Sequence, residues 1–226
     1  AISKMVKRDI LKHYDLPEDR IEVVYNGVKL DRFHPHNKNR FRKKVRGRLG
    51  VSDDEVMILF VGSGFERKGL EYLLKSLSYL KNKNWRLVLV GKGNWERYLN
   101  LVSEPNRSKV ICLDPIDDIE TLYASADFFV LPSIYEPFGN ANLEALASGL
   151  PIVTNRNCGA AEIITPKKEG IVLDEPSDVK AIAEAIEYLM DFKVREPMGH
   201  SARFLAEKFT QEKNAEEMLK IYKKII

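Results

Sequence analysis

The sequence predicts an α/β fold, a doubly wound parallel sheet of six strands with helices packed on it. Three observations predict it. Short runs rich in β-branched and aromatic residues recur at Val56–Val61, Arg86–Val90, Lys109–Leu113, Phe128–Leu131, Pro151–Thr154 and Gly170–Leu173. Helical patterns separate them, and strands alternating with helices build parallel sheets through βαβ crossovers. The 226 residues are 44% apolar and 31% charged, a make-up that supports a globular body with a sizeable core.

The elements follow in order. Residues 1–26 read as a helix carrying Met5, Val6, Ile10 and Leu11, then one lone strand, Ile21–Tyr25, then an Asn26-Gly27 turn. Asp31 to His36 reads as a linker. Behind the first strand of the sheet, Leu70, Leu73, Leu74, Leu77 and Leu80 form one apolar helix face. Ile119, Leu122, Tyr123 and Ala126 form a second behind the N-terminal acids Asp117 and Asp118. Val179, Ile182, Ala183, Ile186, Leu189 and Met190 form a third, with Ser177 placed to cap it. Two helical stretches, about 201–209 and 211–226, close the chain. A helix–strand piece ahead of a linker reads as the end of a preceding domain, so we expect one whole domain plus a remnant of another.

Charge is unevenly distributed. Residues 1–50 carry 14 Lys/Arg against 6 Asp/Glu, while the whole chain has a net charge of only +3. Seven basic residues and no acid lie between Lys38 and Arg48. Such a stretch fits first a solvated helix whose buried stripe is Phe41, Val45 and Leu49, then an anionic lipid surface; basic stretches also suit nucleic acid, but no nucleic-acid partner is expected. No aromatic platform is interleaved with the charges, which counts against single-stranded nucleic acid. No apolar run approaches a membrane span. No signal-peptide pattern opens the chain, which starts at Ala1 rather than Met and so reads as a fragment or trimmed form. Two cysteines, Cys112 and Cys158, and four histidines make neither a disulfide framework nor a metal spacing, and a reducing cytoplasm fits them.

Three segments can carry chemistry. The first strand runs into Gly62-Ser63-Gly64-Phe65-Glu66-Arg67-Lys68-Gly69 and then a helix. Strand, glycine turn and helix start make an anion site, because the first N–H groups of a helix are unpaired. Arg67 stands where a dinucleotide fingerprint needs its third glycine, and Arg-Lys-Gly replaces the Gly-Lys-Ser/Thr of a P-loop. What remains is a loop delivering two cations, Arg67 and Lys68. The second segment runs from Pro132 to Pro151 and holds Glu136 in a loop and Glu144 about one turn into the following helix. Pro137 and Gly139 force a tight turn, and Asn140 or Asn142 is placed to cap that helix. Carboxylates with free lone pairs are good acceptors for paired hydroxyl groups such as those of sugars; the plainer reading leaves Glu144 capping a loop and Glu136 in solvent. The third segment, Asn155 to Glu162, contains Cys158 as a packing residue.

These segments together resemble the retaining glycosyltransferases of GT-B architecture, the glycosyl transferases group 1 family. Gly62 to Gly69, Asp127 to Pro151 with its two glutamates, and Asn26-Gly27-Val28 with Asp31-Arg32-Phe33 carry the likeness, which covers nearly the whole chain. The wording Ser63 to Lys68 is similar to that of lipopolysaccharide core glucosyltransferases. The resemblance implies two Rossmann-like domains facing each other across a cleft, of which this chain holds the C-terminal, donor-binding one. Residues 1–34 would be the tail of the N-terminal acceptor domain, 35–200 the donor domain, and 201–226 helices returning toward the absent half. It implies metal-independent transfer of a hexose from a nucleotide-diphosphate sugar, UDP-glucose favoured, to a glycan or lipid-linked acceptor. The cysteine usage adds a cytoplasmic setting, and residues 38–48 offer a peripheral place at the inner membrane face.

The resemblance also assigns roles. Arg67 and Lys68 would hold the donor diphosphate, Glu136 would lie near the sugar hydroxyls, and Glu144 would hold the ribose. Gly62 and Gly64 would shape the loop, backbone groups of Phe138, Gly139, Asn140 and Ala141 would bind sugar and phosphate, and Ile116 would lie near the base. No metal or other cofactor is implied, and no Asp-x-Asp pair occurs. The sequence departs from the pattern where Asp114 replaces a common glycine and Ser63 a frequent arginine. Acceptor-side groups would lie in the absent domain, so the piece alone is expected to bind donor without appreciable transfer. The alternatives are an epimerase or phosphorylase of the same architecture, and a non-catalytic module binding anionic membranes through residues 38–48.

Overall fold

The six apolar runs pair into one sheet. The strands are β1 (Val56–Val61), β2 (Trp85–Val90), β3 (Val110–Leu113), β4 (Phe128–Val130), β5 (Ile152–Asn155) and β6 (Gly170–Leu173). A computed structural model describes residues 1–225. The strand order is β3-β2-β1-β4-β5-β6, and every neighbouring pair is parallel. Leu59 of β1 pairs with Val88 on one side and Phe129 on the other. Met57, Ile58, Leu59 and Phe60 are completely buried, so β1 is covered on both faces and reads as an unbroken apolar run. Each such side chain contributes roughly 1.5–3 kcal/mol on burial.

The helices are α1 (Lys4–His13), α2 (Asn37–Leu49), α3 (Leu70–Ser76), α4 (Trp95–Leu99), α5 (Glu120–Ser125), α6 (Asn140–Ala147), α7 (Val179–Met190), α8 (Phe192–Ala206) and α9 (Gln211–Ile225). Helix α2 packs on α5, α3 on α7, and α6 on α8. Helix α8 runs unbroken across residue 200, with Pro197 inside it. The cap of α7 is Asp178 rather than Ser177: its carboxylate accepts from the N–H groups of Lys180 and Ala181. Asp accepts as well as Ser at this position, and it stands one residue nearer the helix.

The lone strand expected at Ile21–Tyr25 does not form. That segment is extended but has no ladder partner; the N–H of Val24 bonds the carbonyl of Ala1 at 2.9 Å, and the nearest pairing is a single bridge between Val28 and Thr210. A strand needs a paired run of residues, and Ala1, which bonds both Glu22 and Val24, supplies only one residue beside it. The N-terminal residues nevertheless dock firmly. Glu162 accepts from the N–H groups of Lys4 and Met5 at 2.8 and 2.7 Å, at the positive end of α1.

Much of the basic stretch is structural. On α2, Val45 is buried, with Phe41 and Leu49 packed against the core as expected. Arg42 and Arg46 turn inward to Asp127 at 2.9 and 3.3 Å, and Arg46 is only 1% exposed. Arg40, Lys43, Lys44 and Arg48 remain exposed. Among the described residues, no helix is long and apolar enough to cross a membrane.

The strand order reverses between β1 and β4. Crossovers leave these neighbours in opposite directions, which opens a crevice beyond their C-terminal ends. The loops at those two ends are the two segments singled out above.

Candidate functional site

The loop after β1 and the loop after β4 are stitched together. The N–H of Ile134 donates to the carbonyl of Arg67 at 2.8 Å. Gly69 sits so close to the β4 loop that a Cβ there would lie 2.0 Å from the carbonyl oxygen of Pro132. This contact brings Arg67 and Lys68 to Glu136. The Lys68 ammonium donates to Glu136 Oε2 at 2.7 Å, and Arg67 Nη1 lies 3.1 Å from the same oxygen. Arg67 also donates to the carbonyl of Tyr135 at 2.8 Å. Gly62 makes this possible: its φ is 152°, and a Cβ there would collide with Lys68 Cδ at 2.3 Å. The stem of Lys68 therefore crosses the space that a side chain at 62 would fill.

Lys68 and Glu136 are largely buried, at 12% and 11% side-chain exposure, whereas Arg67 is 47% exposed. Two cations share one carboxylate, leaving a surplus positive charge. Glu136 itself packs beside the start of α6: a Cβ on Gly139 would lie 3.1 Å from Glu136 Cγ. Gly139 is the cap residue there, with φ 87°, and it supplies no side-chain oxygen. Neither asparagine caps the helix, contrary to expectation. Asn140 Oδ1 accepts from Asn26 at 2.7 Å, and buried Asn142 donates to Cys158 Sγ at 3.2 Å. Among the described residues, the N–H groups of Phe138, Gly139, Asn140 and Ala141 have no hydrogen-bond partner. An uncapped helix start with free donors beside two cations is a strong attractor for anions.

Glu144 lies in a small cleft of about 250 Å³, lined also by Lys29, Arg32, Phe33 and Asn140. It is half-buried rather than a loop cap, and Glu136, at 8% exposure, is not in solvent. The hydroxyl of buried Tyr123 donates to Glu144 Oε2 at 2.9 Å. Burial raises the Glu144 pKa above the ordinary value of 4.5, against the opposing pull of the Tyr123 hydroxyl and Arg32. Desolvation, followed by the Glu144 charge, puts the Tyr123 hydroxyl well above its usual range. Tyr123 stacks edge-on against Phe33 at 5.6 Å, so the supposed linker contributes a buried ring to the support of Glu144.

A larger open cavity of about 620 Å³ lies over the ends of β1 and β2, lined by Gly64, Phe65, Arg67, Lys92, Arg97 and Ile134 among others. It takes in Arg67 but not Lys68 or Glu136, which face each other. Ile116 lines neither cavity; it is half-buried against the core. Sequence reasoning missed Tyr123 as the partner of Glu144, reading it only as part of an apolar face. It also missed Arg32 beside Glu144. Ser63, noted for standing where an arginine is frequent, accepts from the N–H of Lys92 at 3.0 Å through its hydroxyl, a contact its sequence neighbours do not show. Cys158 is buried and its thiol pKa is raised by burial, which suits packing rather than nucleophilic attack. Among the described residues, no three His, Cys, Asp or Glu side chains converge.

Residues 41–205 match the sequence profile of the family described as Glycosyl transferases group 1. The chain belongs to that family. It is 36% identical to an uncharacterized glycosyltransferase of Methanocaldococcus jannaschii, over 99% of this chain and 59% of the relative. It is 28% identical to the lipopolysaccharide glucosyltransferase WaaG of Escherichia coli, over 88% of this chain and 54% of the relative. A solved glycosyltransferase structure from Rickettsia africae superposes with a TM-score of 0.89 at 27% identity, covering all of this chain and 62% of that one. The chain thus spans between half and two thirds of the length of these relatives. It is a C-terminal domain of a group 1 glycosyltransferase, and the two halves of its sheet form the Rossmann-like layer of the GT-B fold.

Proposed function

We propose that this domain binds a nucleotide-diphosphate sugar, UDP-glucose favoured, in the crevice at the ends of β1 and β4. Within the longer protein it would serve the metal-independent, retaining transfer of a hexose to a glycan or lipid-linked acceptor, lipopolysaccharide core among the candidates. Residues 1–34 belong on this reading to the acceptor domain's tail, 35–200 to the donor domain and 201–226 to the returning helices. The observation that carries the proposal is the meeting of Arg67 and Lys68 on Glu136, whose side chain packs beside Gly139 in the segment 138–141, where the N–H groups are unpartnered among the described residues.

The chemistry follows from charge. Breaking the bond between the anomeric carbon and the phosphate oxygen leaves a diphosphate anion and an oxocarbenium-like sugar. Fixed donors aimed at the departing oxygen lower that barrier, each by about 3–4 kcal/mol. Arg67, Lys68 and the α6 N–H groups fill this role. Glu136, buried with Lys68, meets the sugar hydroxyls, and Glu144, fixed by Tyr123, accepts from the ribose hydroxyls. Phe138 to Ala141 cradle the phosphates, Gly62 and Gly64 shape the loop, and Ile116 lies toward the base. The general base, if the reaction uses one, belongs to the acceptor side. The test is transfer by the full-length protein, with the anomeric configuration of the product read by NMR at early times. Retention with a hexose nucleotide supports the proposal; free nucleotide-sugar epimerisation without an acceptor, or strict dependence on inorganic phosphate, refutes it.

The exposed Arg40, Lys43, Lys44 and Arg48 on α2 favour a second role at an anionic membrane face, each worth about 1 kcal/mol near such a surface. Binding to phosphatidylglycerol vesicles that disappears on reversal of these four charges supports it.

A further inference from the structure

A second cationic cavity lies at the opposite end of the sheet, where β4 and β5 begin. It holds about 340 Å³ and is lined by Pro35, Lys38, Asp127, Pro151, Arg195 and Glu196, among others. Its charges do not balance. Asp127 is the carboxylate at its floor, and three guanidinium groups already converge on it: Arg42 at 2.9 Å, Arg46 at 3.3 Å and Arg195 at 3.8 Å. Both Asp127 oxygens are occupied, the second also accepting from the N–H of Met57 at 2.8 Å. Lys38 adds a fourth cation. It is half-buried, yet its ammonium makes neither a hydrogen bond nor an ion pair among the described residues. Burial first, then the neighbouring Arg42, draws its pKa below the ordinary lysine value. A partly buried ammonium without a partner is costly unless an anion supplies one.

We propose that this cavity is an anion site that takes a phosphate group, with Lys38 and Arg195 as its charged donors. It is distinct from the crevice in which Arg67 and Lys68 lie, and the proposal does not rest on the donor reading. Arg195 is held in place by a 2.6 Å bond from its Nη1 to the carbonyl of Met190, and among the described residues its Nη2 makes just the 3.8 Å contact to Asp127. The volume exceeds that of a lone phosphate, so the group's carrier is either a small soluble phosphomonoester or a lipid headgroup. Exposed Phe192 lines the cavity as an apolar contact for such a carrier. Glu196, also exposed in the lining, opposes the anion and tunes affinity downward.

The experiment is a titration of the 226-residue chain with inorganic phosphate, read residue by residue from amide NMR shifts, against sodium chloride of matched ionic strength. Saturable shifts around Lys38, Arg195 and Gly199 are expected by ~30 mM, where even a millimolar site is filled. Lys38→Met should weaken this binding at least tenfold, Lys38→Arg should retain it, and Glu196→Gln should strengthen it roughly two- to fivefold. Glycerol 3-phosphate and phosphatidic-acid vesicles then distinguish a soluble carrier from a headgroup. Shifts confined to residues 138–141, or shifts around Lys38 that chloride reproduces, overturn the proposal. So does phosphate binding at this end that Lys38→Met and Glu196→Gln both leave unchanged.

Discussion

The Lys68 ammonium and the Glu136 carboxylate are bonded at 2.7 Å across the junction of two loops that are far apart in the chain. The pair joins the ends of β1 and β4, the parallel neighbours between which the strand order reverses. It ties the fold to the chemistry, because the same contact that closes the junction sets a cation beside the uncapped start of α6.

Breaking that pair should cost stability as well as ligand affinity. Lys68→Met leaves a largely buried carboxylate with only half-exposed Arg67 beside it, and should destabilise the domain by about 2–4 kcal/mol. The double substitution Lys68→Met with Glu136→Gln should recover part of that loss, since no charge is then stranded. Urea denaturation of the two single variants and the double measures it; strict additivity would show that the pair is not coupled.

Glu144 should display the opposite balance. Its carboxyl is harder to ionise in the folded state than in the unfolded chain, where the ordinary value of 4.5 applies. The folded state then holds the proton more tightly, so ionisation lowers stability as pH rises above 4.5 toward the folded value, and below 4.5 the effect vanishes. Glu144→Gln should therefore melt higher than the wild type at pH 7, with the gap closing at pH 4, while binding donor less well. Thermal melts at the two pH values check it, and a lower melting temperature at pH 7 would contradict it.

Two glycines should separate conformation from crowding. Gly64 has φ 74° and a methyl added there would meet open space, whereas Gly139 has φ 87° and would place one 2.9 Å from Asn142 Nδ2 and 3.0 Å from Cys158 Sγ. Gly64→Ala should cost about 1–2 kcal/mol through backbone strain alone. Gly139→Ala should cost more, and should disturb the N–H groups at the start of α6. Equal losses in chemical denaturation would show that the packing around Gly139 yields freely.

Much of this was legible in the amino-acid sequence. The central strands β1 and β4 are buried on both faces, so each reads as a continuous apolar run between turn residues, and the alternation of such runs with helices marks the sheet. The glycine loop and the two-glutamate segment were legible because their spacing is local. Partnerships between distant elements were not. Seven cations between Lys38 and Arg48 look alike in a string, but Arg42 and Arg46 are claimed by Asp127, some eighty residues on, and the others are not. Tyr123 reads as an apolar-face residue because its hydroxyl's only clue is Glu144, on a different helix. Ile21–Tyr25 has the composition of a strand, but composition does not supply a neighbour.

Arg46 gives a direct check on that distinction. It donates to Asp127 and to the carbonyls of Ser125, Ser52 and Glu55. Arg46→Met should lower stability by about 3–5 kcal/mol, whereas Lys43→Met on the exposed side should change it by no more than about 0.5 kcal/mol. Comparable losses would mean that the α2 charges act as one surface field.

Metal removal should leave donor binding unchanged, because Arg67, Lys68 and the α6 N–H groups supply the positive charge. Equilibrium binding of UDP-glucose in EDTA and in magnesium should give the same affinity; a tenfold dependence on magnesium would contradict this.

The most direct measurement is calorimetric titration of this domain with UDP-glucose, GDP-mannose and ADP-heptose, repeated on Arg67→Ala and Glu144→Ala. A charge-assisted hydrogen bond contributes roughly 1.5–3 kcal/mol, about tenfold or more in affinity. Saturable binding of one donor, weakened at least tenfold by each substitution, is the predicted result. A donor that binds both variants as tightly as the wild type would contradict the assignment of the crevice.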